Sequence, residues 1–163
     1  MAKVNKVAIS RKIRKYLDKW ASRLLTEKWI VISEFDPKKC PHCNPRPRIR
    51  INAHVRSDYA NRLAWMTFHN PKPKYGLERT VLHEVIHCVM EPIDDNFDGL
   101  MHVLEQEFPG ACAQARDKMT DGREVVVNSF ADALMNADRE IQHLERKIKK
   151  LTKASLEKAK TTT

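Results

Sequence analysis

Apolar residues recur at three- and four-residue intervals across residues 8–28, where Ile9, Ile13, Tyr16, Leu17, Trp20 and Leu24 interleave with Lys and Arg. That period predicts an amphipathic helix with one face on a core and a basic face in water. The pattern then changes. Residues 29–35 are dense in β-branched and aromatic side chains and predict a strand stopped at Asp36-Pro37. Residues 48–55 alternate basic with apolar, as a half-buried second strand with its odd-numbered residues inward. The proline-rich residues 38–47 between them read as a hairpin loop. Residues 63–69 predict a third strand, expected at the sheet edge, ended by Asn70-Pro71-Lys72-Pro73.

After Tyr75-Gly76 the helical period returns. Residues 77–90 are mostly apolar and free of Gly and Pro, and the helix is expected to end at Glu91-Pro92, because a residue before proline is pushed out of helical geometry. Residues 94–98 read as an acidic connector and 100–108 as a short helix closed by Pro109-Gly110. From Asp121 or Arg123 a long helix runs through Val127, Phe130, Leu134, Ile141, Leu144, Ile148 and Leu151. Past about Lys150 it turns polar and basic and should fray. These elements predict one α+β domain over residues 1–150: a basic helix (1–28), a small three-stranded antiparallel sheet (29–70) and two helices over 77–136. Residues 151–163 form a basic tail.

A chain of 163 residues is long enough to bury one core, and 31% charged against 42% apolar residues is ordinary for a globular protein. No run of about 18 apolar residues exists, so no membrane span is expected. The N-terminal positive charge has no apolar stretch behind it, which excludes a secretory signal and predicts a cytoplasmic protein with reduced cysteines. The net charge of +9 is uneven. Residues 1–28 carry nine Lys/Arg against two acids, whereas residues 76–124 carry four against eleven. The basic flanks suit solubility, an acidic partner or weak, salt-sensitive nucleic-acid binding; few aromatic residues are interleaved for base stacking.

The acidic middle holds His83-Glu84-Val85-Ile86-His87, the H-E-x-x-H pattern. With 7 His and 11 Glu in the chain, its chance occurrence is about 0.02, so the pattern carries weight. On a helix His83 and His87 lie one turn apart on one face and can bind one metal. Glu84 lies about 100° round, where it reaches a water rather than the metal. Zinc suits two imidazoles and a carboxylate with a fourth position for water, and the Glu can take that water's proton as it attacks a carbonyl. The bland alternative is a core helix with two satisfied histidines.

A third donor is needed. The places where metzincins carry a Gly and a further His are Met90 and Ile93 here, so it comes from elsewhere. A later stretch reads Glu124-Val125-Val126-Val127-Asn128-Ser129-Phe130-Ala131-Asp132-Ala133-Leu134-Met135. Together with the H-E-x-x-H helix behind a strand pair, this resembles the short gluzincin-like metallopeptidases of the ImmA/IrrE type, common in bacteria, phages and mobile elements, over residues 60–136. The resemblance implies a zincin-like fold, a zinc ion on His83, His87 and Glu124, Glu84 as catalytic acid, and peptide or protein substrates. Val127 stands where the family has a small Ala, and no Pro follows Met135. A second reading gives Glu124 to a capping box with Asp121. Rival third ligands are His102, Asp94 and Asp98.

Other residues carry weaker signals. Cys40-x-x-Cys43 could be half of a zinc knuckle, with Cys88, Cys112 or His54 as partners, but a lone C-x-x-C more often marks a reduced loop. His54 and His69 end strands, where histidines usually pack or face water. Tyr59 and Tyr75 are candidate oxyanion donors with packing as the commoner role. Cys88 reads as a small buried hydrophobe. The expected function is zinc-dependent hydrolysis of peptide bonds, with an extended substrate added to the third strand. The alternative is a non-enzymatic, zinc-stabilised protein that binds nucleic acid or a partner through its basic flanks.

Overall fold

In a computed structural model, which describes residues 6–25, 29–36, 52–107 and 109–161, the chain runs α1 (Lys6–Leu24), β1 (Ile30–Phe35), β2 (Ala53–Asp58), β3 (Leu63–Phe68), α2 (Leu77–Glu107) and α3 (Pro109–Thr161). The α+β class is as expected. The sheet is mixed rather than antiparallel: its order is β1-β3-β2, with β1 parallel and β2 antiparallel to β3. The third strand is therefore central, not an edge. Ala64, Met66 and Phe68 on its inner face are fully buried, and β1 and β2 flank it because that row is the most apolar surface available. The tight connection lies between β2 and β3 at residues 59–62. There Asp58 accepts from the Asn61 backbone and side chain, and Arg62 takes a positive φ of 54°. Residues 37–51, including Cys40 and Cys43, lie outside the described residues. β1 and β2 are not neighbours in the sheet, so these two strands do not form the expected hairpin.

α1 buries Ile13, Leu17 and Trp20, the stripe its period predicts, in one core with Phe35, Ala53 and the β3 row. Across the core stand Val81, Leu82, Val85 and Ile86 of α2 and Val127 and Ala131 of α3. Burying one such side chain contributes about 1.5–3 kcal/mol. Part of α1's basic face is clamped rather than solvated. Lys19 Nζ donates to Glu78 of α2 at 2.7 Å and to Asp138 of α3 at 2.6 Å, and Arg23 reaches Asp138 at 2.7 Å. Arg11, Lys12, Arg14 and Lys15 are exposed.

The helices differ from expectation at both junctions. α2 does not stop at Glu91 but passes through Pro92 to Glu107. The proline forfeits one backbone bond, while Met101, 3% exposed, gives the extension a buried anchor. α3 opens at Pro109, a residue suited to a first helical turn, rather than near Asp121. It runs 53 residues, about 80 Å, to Thr161, past the point near Lys150 where fraying was expected. Residues 124–138 pack on the body, whereas every described side chain from 139 to 157 is exposed. No described helix is long and apolar enough to cross a membrane.

Candidate metal centre

Gly76, at φ +89°, turns the chain into α2, and its carbonyl accepts from the backbone and hydroxyl of Thr80. One turn further on, His83 and His87 share the face turned toward α3. Their Nε2 atoms are 3.1 Å apart, and their rings meet edge to face at 74°. Glu124 of α3 closes the group: Oε2 lies 3.3 Å from His83 Nε2, and Oε1 lies 3.2 Å from His87 Nε2. The three donor atoms lie within 4.8 Å of one another, and the cluster could hold a metal ion. His102 is exposed and outside this cluster, and the side chains of Asp94, Asp98 and Cys112 lie outside the described residues.

The early start of α3 decides between the two roles read for Glu124. Asp121 and Glu124 are helix-interior positions, so no uncapped backbone N–H competes for the carboxylate. What aims Glu124 is Arg79, one turn before His83. Its guanidinium holds Asp132 through two bonds of 2.6 and 3.1 Å, and Asn128 Oδ1 at 3.1 Å. Asn128 in turn donates to the Glu124 carbonyl at 2.7 Å. Arg79 thus fixes the register of α3 on α2 one turn from the histidines. The sequence reading missed it; the available signal was its i, i+4 spacing to His83.

The two carboxylates of the site are driven apart. Hydrogen bonds from His83 and His87, outweighing partial burial, hold Glu124 well below the usual carboxylate range. Glu84 is 4% exposed, and burial pushes it up to about 7 against the pull of the neighbouring histidines. Burial alone would lower His83, but Glu124 and Glu84 raise it on balance. Cys88, fully buried with its thiol pushed up to about 12 by burial and by Glu91 and Glu84, is the inert hydrophobe expected. Tyr59 packs edge-on against Trp29, and the exposed Tyr75 lies under Lys74 and Arg79.

Comparison of the chain with models of known families, with curated proteins and with solved structures finds no match.

Proposed function

We propose that this protein is a zinc-dependent metallopeptidase of the ImmA/IrrE type. The observation that carries the proposal is geometric: His83 and His87 of α2 and Glu124 of α3 bring donor atoms within 4.8 Å of one another, while Glu84, 4% exposed and next to His83 in the chain, stands outside that donor set. Such an arrangement separates a ligand from an acid–base group. The donor set fits zinc. Ligands at about 2.0–2.1 Å in a tetrahedron stand about 3.3 Å apart; the two imidazole nitrogens are 3.1 Å apart, and Glu124 offers a different oxygen to each ring, Oε2 at 3.3 Å from His83 and Oε1 at 3.2 Å from His87.

His83, His87 and Glu124 would hold the ion. Bound there, zinc supplies Lewis acidity that polarises a peptide carbonyl and acidifies water. Glu84 takes the proton of the attacking water on its carboxylate and passes it to the leaving amine. Arg79, through Asn128 and Asp132, keeps Glu124 on the histidines. Substrate pairing at β3 is ruled out by its central position. Of the strands on either side, β2 is the one that packs against α2, the helix of the histidine pair. The ion pairs that occupy Lys19 and Arg23 weigh against a nucleic-acid grip by α1.

The test is a comparison of cleavage products from a whole proteome treated with wild-type and Glu84→Gln protein, with zinc content measured on both. Cleavage that disappears while zinc stays supports the reading. Identical product sets, or zinc lost with Glu84, sink it.

A further inference from the structure

α2 and α3 each carry an apolar row past the edge of the body, in opposite directions. On α2 the face that buries Leu82, Val85 and Ile86 continues at the same three- and four-residue spacing through Val89, Ile93, Asn96, Leu100 and Val103. The four apolar members of that row are 45–63% exposed. On α3, beyond its packed stretch, Ile141, Leu144, Ile148 and Leu151 follow at the same kind of spacing and are 51–69% exposed. A single exposed apolar residue is ordinary, but an ordered row of them marks a contact surface. Each row is narrow, about two positions in seven, which is the seam by which one helix packs on another.

The two seams are opposite in charge. Residues 89–121, where the end of α2 and the start of α3 form a helical hairpin, carry eight acids against two Lys/Arg. Residues 139–160, the arm of α3, carry eight Lys/Arg against three acids. Two arms repel each other, and so do two hairpins, whereas an arm and a hairpin attract. They cannot meet within one chain. Glu105 of the hairpin is held by Arg116 at 3.0 Å, and about 38 Å of continuous helix separates Arg116 from Ile141.

We propose that the basic arm of one copy docks, seam to seam, on the acidic hairpin of a second copy of this chain. The contact is heterologous, because each partner uses a different surface, so a pair leaves one arm and one hairpin open to a further copy. Docking supplies the arm with tertiary packing, from which most helical stability in proteins comes. Opposite charge decides which seam meets which. The surface uses neither His83, His87 nor Glu124, and it does not rest on the peptidase reading.

Sedimentation velocity of the full chain tests the contact, with two variants substituted at exposed positions: Leu144→Gln/Ile148→Gln in the arm and Leu100→Gln/Val103→Gln in the hairpin. Wild type is expected to associate as its concentration rises, and less so as salt rises. Each variant alone should lose the association. The two mixed should form a 1:1 pair that grows no further, since one intact arm meets one intact hairpin. A wild type that stays monomeric at its highest soluble concentration overturns the proposal, and so does a mixture that stays monomeric. Either variant that still self-associates also overturns it; in the hairpin variant that result assigns the contact to arm against arm. Should a glutamine variant fail to fold by circular dichroism, Lys147→Glu/Lys149→Glu replaces it: weaker association at low salt supports docking on the acidic hairpin, and unchanged association overturns it.

Discussion

Two histidine pairs in this molecule have the same 3.1 Å nitrogen separation and different surroundings. His83 and His87 are placed by a single helix, and their partners are charged: Glu124 bridges both rings, and Glu84 lies buried beside them with its proton affinity raised. His54 and His69 are placed by pairing of two strands, and the orienting partner of His69 is a neutral backbone carbonyl. Two imidazoles at metal-ligand spacing therefore do not specify a chemistry. Only the first pair has a carboxylate within reach to complete a metal-capable cluster among the described residues, whereas the orienting partner of the second is a backbone carbonyl.

The comparison breaks most sharply at Glu84. Glu84→Gln keeps size and shape but removes the proton acceptor, so on the proposed peptidase reading hydrolysis should fall by ~10² to 10⁴ with metal at His83, His87 and Glu124 retained; a rate within a few-fold of wild type would place the chemistry elsewhere. Next is Glu124→Ala. Loss of a proposed inner ligand should weaken zinc at His83 and His87 by more than the ~10- to 100-fold typical of an outer partner, as read by competition with a chelator. Arg79→Ala should cost the first site about tenfold in the same assay, because Glu124 loses the register that Asn128 and Asp132 provide; unchanged affinity would show that helix packing alone sets it.

The smallest effect concerns stability alone. Asp138→Asn should lower unfolding free energy by about 1 kcal/mol, since Lys19 keeps Glu78 as a partner, and should leave metal binding at His83, His87 and Glu124 unchanged. Its pH dependence has a definite sign. Burial raises the Asp138 carboxyl, but hydrogen bonds and charge from Lys19 and Arg23 outweigh it and lower it overall. The contribution is therefore present above the ordinary carboxylate range near pH 4 and lost as pH falls through the lower folded value. Denaturation of wild type and variant at pH 7 and at low pH should show the difference shrinking; a constant difference would discard the ion pairs as its cause.

Periodicity over four to eight residues located α1, β1, β3 and the first half of α2, and the i, i+4 spacing located His83 and His87, because these depend only on neighbours along one element. Boundaries set by burial were misplaced. Pro92 and Asp121 carry strong local stop and start signals, yet α2 and α3 run through them because packing elsewhere on each helix outweighs one lost backbone bond. The β3 position failed for a related reason: alternation says which face of a strand is buried but not which strands lie beside it.

By itself, then, the sequence determined that one helix presents two imidazoles and an adjacent carboxylate, since helix geometry converts spacing directly into direction. Only the tertiary structure decided what meets them. Glu124 is 37 residues beyond His87 in the chain and reaches it only because α2 and α3 lie side by side, registered by Arg79. His54 and His69 read separately as unremarkable strand ends and become a pair only through the β2–β3 register. Contacts between elements are fixed by the packing of the whole core, a property no local window of the chain contains.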